Sequence, residues 1–175
     1  DGFVDGLAVL ADHLDPRDPA PEVTATTRSM RRLRAAQLDE VQAVVGGGRF
    51  YRLGYRSPAA WLAATSHETY GACRVTLHLA ERIQHMTHTR SVFATGELAE
   101  SALKLLADAW HPDLADVFAR DEPMLVGWAQ TLGNRDFKVV LDTWRIHADP
   151  DREERTAEDR YAARSLHLSS LLDGM

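Results

Sequence analysis

Apolar residues recur every three or four positions along almost the whole of this chain. That period matches the turn of an α-helix and not the alternation of a half-buried strand. Phe3, Leu7, Leu10 and Leu14 open the pattern, and a Pro- and Asp-rich stretch from Asp15 to Pro21 interrupts it. A long helix is expected next, from Val23 to Val45. Its inward stripe is read as Met30, Leu33, Gln37, Val41 and Val44, with Arg28, Arg31 and Arg32 on another face and Arg34 beside the stripe. Gly46-Gly47-Gly48 ends it, because glycine adopts the irregular conformations of a helix exit at least cost.

The same signals continue downstream. Arg49 to Arg56 reads as a loop or short turn. Ser57 is placed to cap a short helix that has Pro58 at its first position and buries Trp61 and Leu62. Thr65 and Glu68 have capping-box spacing before a helix that should run to Met86. Cys73, Thr76, Leu77, Ala80 and Ile83 fit its core face, and Arg74, His78, Glu81, Arg82 and His85 its polar face. Gly96-Glu97 is read as opening a helix with Leu98, Ala102, Leu105 and Ala109 inward. Pro112 and Pro123 are read as later helix starts. Residues 134–148 carry an amphipathic pattern of Phe137, Val140, Leu141, Trp144 and Ala148.

Residues 151–164 are mostly charged and read as a solvated helix. Leu166, Leu168 and Ser170 then alternate with His167 and Ser169, the start of a β-strand. A strand with no partner is not stable, so the chain is expected to continue into a further domain. The fold expected is all-α, a bundle of about seven or eight helices with the start of a β-strand at the C-terminus. Residues 1–21 are expected to form an N-terminal helix and Pro/Asp-rich connector, 22–150 the helical core, and 151–175 the charged helix and truncated strand.

Composition narrows the function. The 175 residues are 45% hydrophobic and 26% charged, enough for one core without disulfide or metal staples. Cys73 is the single cysteine, no apolar run is long enough to span a bilayer, and the acidic N-terminus is unlike a signal peptide. A reducing, cytoplasmic setting without membrane contact is expected. The net charge of −6 excludes a wholly basic nucleic-acid coat protein. The charge is uneven, however: residues 1–27 sum to −5 and residues 28–56 to +5. Arginine outnumbers lysine throughout, so its abundance alone does not indicate phosphate recognition.

No catalytic constellation emerges. The serines lack elbow glycines, and Cys73 lies on the apolar side of its helix. The glycine triplet ends a helix and lacks the Lys-Ser/Thr of a phosphate loop. His78 and His85 are two turns apart. His85 and His88 could chelate a metal only if one helix ran through both. Paired carboxylates such as Asp121 and Glu122 read as solvated faces and caps.

Two surfaces suggest nucleic acid. One is the helix–turn–helix expected over residues 57–85, whose second helix would offer Arg74, His78 and Arg82 to a major groove. The other is Arg28, Arg31 and Arg32, joined by Arg49, Arg52 and Arg56 if the fold brings them close. Tyr51 and Tyr55 interleave with these arginines and could stack on bases.

Gly54-Tyr55-Arg56-Ser57-Pro58-Ala59-Ala60-Trp61-Leu62, Ala72 to Leu79, Gly96-Glu97-Leu98 and Leu105 to Ala109 together resemble an actinobacterial family. So do Arg164-Ser165-Leu166-His167-Leu168 and Leu172-Asp173-Gly174-Met175 at the C-terminal border. The family is the domain of unknown function two-two-two, met also in mycobacterial prophage-associated repeats. The resemblance implies a helical domain that precedes an HNH endonuclease domain. The HNH centre itself is absent here: Asn134 is the only asparagine, and His111 and His147 are remote from it. The resemblance implies association with a DNA nuclease and supplies no activity for this domain; taken with the one basic block in an acidic chain, it leads to the expectation of a non-catalytic module that helps position a downstream nuclease on DNA. A divalent metal is expected only in that downstream domain, and no cofactor in this chain. The alternative is a protein-interaction or self-association module, such as a homodimer, with an acidic surface around residues 91–122 and no DNA contact.

Overall fold

The computed structural model describes residues 20–149. Among these residues the fold is all-α. Eight helices run in order: α1 Pro21–Gly46, α2 Arg49–Arg52, α3 Pro58–Ser66, α4 Tyr70–Arg82, α5 Thr87–Ala94, α6 Glu100–Ala109, α7 Ala115–Thr131 and α8 Asn134–Ala148. Two 3-10 turns, Ile83–His85 and Pro112–Leu114, join α4 to α5 and α6 to α7. The expected N-terminal helix, charged helix and C-terminal strand lie outside the described residues.

Local chemistry sets the boundaries. Pro21 occupies the first turn of α1, where its missing N–H costs nothing. Gly48, at φ +59°, turns the chain into α2. The Ser57 hydroxyl accepts the Ala60 N–H at 3.2 Å and caps α3, as the sequence implied. The cap of α4 is different from the one expected. Thr69 accepts the Ala72 N–H at 3.2 Å, whereas Thr65 donates to the Trp61 carbonyl in the last turn of α3. His67, in the left-handed region at φ +58°, separates the two helices, so Thr65 falls too early to cap α4.

Two further expectations are corrected. The helix through Cys73 ends at Arg82 and passes through a 3-10 turn, so α5 starts afresh at Thr87. Pro123 lies inside α7 and does not start it. The carbonyl that Pro123 cannot serve belongs to exposed Ala119, so no buried acceptor is orphaned.

Long α1 lies across α4 and α5. Helix α3 packs on α4, α6 on α4 and α8, and α7 on α5 and α8. Phe93, Phe118, Phe137, Leu38, Leu79 and Leu106 are fully buried where these layers meet. Each such side chain contributes about 1.5–3 kcal/mol of transfer free energy.

The face that α1 buries is rotated from the expected one. Val41 is buried as expected, but Ala35 and Leu38 are buried beside it, while Met30 and Leu33 are 65% and 72% exposed. The turn between α5 and α6 explains the rotation. Gly96, at φ +82°, lies so close to α1 that a Cβ there would sit 2.5 Å from the Arg28 carbonyl oxygen. Only glycine permits that approach, and it brings Glu97 and Glu100 against the arginines of α1.

Candidate functional site

The expected basic surface divides into two groups with different surroundings. On α1, Arg28 Nε is 3.1 Å from Glu97 Oε1 and Arg31 Nη1 donates to the Gly96 carbonyl at 3.3 Å. Arg34 is the most committed. Its Nε donates to Glu100 Oε2 at 3.1 Å and its Nη2 to Thr76 Oγ1 at 3.0 Å, joining α1, α4 and α6. Lys104 Nζ also reaches Glu100 Oε1 at 3.0 Å. Burial pushes the Glu100 carboxyl up, but hydrogen bonds and charge from Lys104 and Arg34 outweigh it and hold the pKa below the usual carboxylate value. Arg32 alone of this group is exposed and makes no ion pair with the described residues.

Arg49, Arg52, Arg56 and Arg74 form the second group. All four are exposed, and none makes an ion pair or side-chain hydrogen bond with the described residues. They lie on the consecutive stretch α2, loop, α3 and α4. Tyr51 is exposed beside them with its ring 4.2 Å from that of Phe50, while Tyr55 packs on the core. From Arg28 to the end of α1 is about 27 Å at the rise of an α-helix, so α1 keeps Arg28 and Arg31 well away from Arg49.

Helices α3 and α4 are consecutive, pack on each other and are joined by His67-Glu68-Thr69. The N-terminal half of α4 is open: Tyr70, Gly71, Arg74 and Val75 are exposed. Its C-terminal half is engaged. His78 Nε2 lies 3.5 Å from Asp108 Oδ1, and the Arg82 guanidinium sits 4.7 Å from the Trp110 ring centroid. His85 stacks on the same Trp110 ring at 4.6 Å. Arg74, in the first turns of α4, is exposed and free of such contacts.

Other polar residues are structural. Glu122 is buried, and its Oε1 accepts the Thr89 N–H at 2.7 Å, capping α5 from α7. Asp121 accepts the Trp144 Nε1–H at 3.0 Å. Hydrogen bonds from Arg120 and then Trp144 hold its carboxyl below the ordinary range. Of the two roles read from the sequence, solvated face and cap, Glu122 fills the second, although it does so from a buried position. The break at Met86 also separates His85 from His88, so the helical chelate does not form. Among the described residues no group of three His, Cys, Asp or Glu side chains is placed to hold a metal. No described helix is long and apolar enough to cross a membrane.

The Arg34–Glu100 and Glu122–Thr89 contacts were not foreseen. One signal was available for the first: Arg28, Arg31 and Arg34 are spaced by three, as are Glu97 and Glu100. Comparison of the chain with protein-family models, with curated proteins and with solved structures finds no match.

Proposed function

We propose that this chain is a non-catalytic helical module that positions a nuclease on DNA, with α2–α4 as the contact surface. The observation that supports the reading most is the set of four exposed, unpaired arginines, Arg49, Arg52, Arg56 and Arg74, on one continuous stretch. Between residues 49 and 80 only Glu68 opposes them. Arginine forks grip phosphate oxygens, and the open first turns of α4 present Arg74 as a groove-entering helix would. Tyr51 adds a face on which an unpaired base could stack. The downstream HNH nuclease, with its divalent metal, enters only through the family resemblance described above. Arg28, Arg31, Arg82 and His78 have no direct part in this contact, because other residues of the fold engage them.

Charge reversal tests the reading. R49E/R52E/R56E should abolish binding to a short DNA duplex at low salt while leaving the circular dichroism spectrum unchanged. Undiminished binding by that variant would dismiss the surface.

A second reading, a self-association module, draws on α8. Val139 and Ile146, seven residues apart and so on one face, are 62% and 68% exposed. Sedimentation velocity across a concentration series tests it. A concentration-independent monomer would remove it.

A further inference from the structure

Residues 49–56, between α1 and α3, are held as one small unit by their own backbone. Gly48 and Gly54, at φ +59° and +85°, bend the chain on either side of α2. Within the unit, the Leu53 N–H donates to the Arg49 carbonyl at 3.2 Å, the Gly54 N–H to the Tyr51 carbonyl at 2.9 Å and the Tyr55 N–H to the Phe50 carbonyl at 3.1 Å. Phe50 is buried and fastens the unit to the core, whereas Tyr51 and Leu53 are each more than half exposed. The Tyr51 ring rests on that of Phe50, 4.2 Å between centroids and tilted by 35°, so it is held in place while much of it still faces water. A second tyrosine repeats the arrangement on α4. Tyr70, the first residue of that helix, is more than half exposed and lies one turn before Arg74, on the same face.

Exposed rings interleaved with exposed arginines define the chemistry of a ligand. Arg49 and Arg52 flank Tyr51 in the sequence, Arg56 follows Leu53, and no acid occurs between Glu40 and Glu68. The arginines select an anion, and the rings select flat apolar faces that water leaves accessible. A DNA duplex supplies the first and withholds the second: its phosphates lie outside, but its bases show only their edges in the grooves and keep their faces stacked within. A single strand supplies both, phosphates for the guanidinium forks and turned-out base faces for the rings. We infer that the preferred ligand of this surface is unpaired DNA, with Tyr51 and Tyr70 as stacking platforms and Arg49, Arg52, Arg56 and Arg74 as phosphate contacts. The inference rests on the DNA-contact reading above and names the form of DNA that the surface takes. A duplex is held by the arginines alone, and therefore less tightly.

Fluorescence anisotropy on the full chain tests it, with an oligothymidine of about 15 nucleotides compared with a duplex of the same length. The parent should bind the single strand at least about fivefold more tightly than the duplex. Y51A/Y70A should lose at least about tenfold on the single strand and less than about twofold on the duplex. It should keep the parent's salt dependence on both, because the phosphate contacts are untouched. Both side chains are largely exposed, so its circular dichroism spectrum should match the parent's. Y51F/Y70F should bind as the parent does, since stacking uses the ring and not the hydroxyl. Duplex binding by the parent as tight as single-strand binding would overturn the inference and leave the DNA-contact reading standing. So would undiminished single-strand binding by Y51A/Y70A, or a loss in Y51F/Y70F as large as in the alanine variant. Binding to neither form at low salt would overturn both, and would assign the surface to a protein partner.

Discussion

The two groups of arginines in this protein look alike in sequence and differ in the fold. Arg28, Arg31 and Arg34 face inward, against the Gly96 turn, Glu97 and Glu100. Arg49, Arg52, Arg56 and Arg74 face water with no acid beside them. All but Arg74 belong to the most basic part of an acidic chain, yet of the two groups only the second is free of acidic partners among the described residues. A cluster of like charge in sequence is therefore not a surface until the acids packed against it have been subtracted. Here two glutamates three residues apart, delivered by one glycine, account for most of the subtraction.

The sharpest way to break this contrast is at that glycine. G96A puts a Cβ against the Arg28 backbone and forces alanine into a left-handed conformation. It should cost about 3–4 kcal/mol, measured by urea denaturation, because neither the backbone of α1 nor the φ angle can yield cheaply. A loss below about 1 kcal/mol would mean that α1 is not held against the turn.

Glu122 comes next. E122A leaves the buried Thr89 N–H without its acceptor and should cost about 2 kcal/mol. R34A should cost about 1–2 kcal/mol by freeing Glu100 and Thr76 at a three-helix junction, and R34K should recover part of it. The same junction, and separately Asp121 with its Arg120 and Trp144 partners, predicts acid sensitivity. Glu100 and Asp121 have folded pKa values below their ordinary ones, so the unfolded chain takes up protons first as pH falls. Their stabilisation is complete at neutral pH and is lost as pH drops through the carboxylate range, below about 4.5 for Glu100. E100Q should flatten that loss in a denaturation series from neutral to acid pH. An unchanged pH profile would show that Glu100 is not held in its charged form by the fold.

The smallest effect on stability belongs to the second group. Replacing Arg49, Arg52, Arg56 and Arg74 together by alanine should change the unfolding free energy by less than about 0.5 kcal/mol per site, as exposed unpaired residues do.

How far the sequence could be read follows the same division. Helix existence was legible because apolar spacing repeats for several turns in α1, α4 and α8. Residues 134–148 were placed with their buried Phe137, Leu141 and Trp144. The rotation of α1 was not legible. Met30 and Leu33 offer a better apolar stripe than Arg31 and Arg34, and only the partner turn decides which face turns inward. Pro123 and Thr65 misled for a local reason: proline and capping-box signals mark preferred helix starts, and the surrounding packing chose Leu114–Ala115 and Thr69 instead. At the candidate site the residues were legible and their accessibility was not. Arg74 and Arg82 lie two turns apart on one helix, and Trp110, from a distant stretch of sequence, separates their roles.

The most direct test of the central claim compares the two arginine groups by fluorescence anisotropy with a short DNA duplex across a salt series. The parent should show a log–log slope of about 3 to 4, near 0.9 for each phosphate contact. R49A/R52A/R56A/R74A should lose at least about tenfold in affinity and most of that slope, while R28A/R31A, assayed well below its melting temperature, should keep both. The reverse result, binding lost with Arg28 and Arg31 and kept without the other four, would contradict the assignment of α2–α4 as the DNA-facing surface.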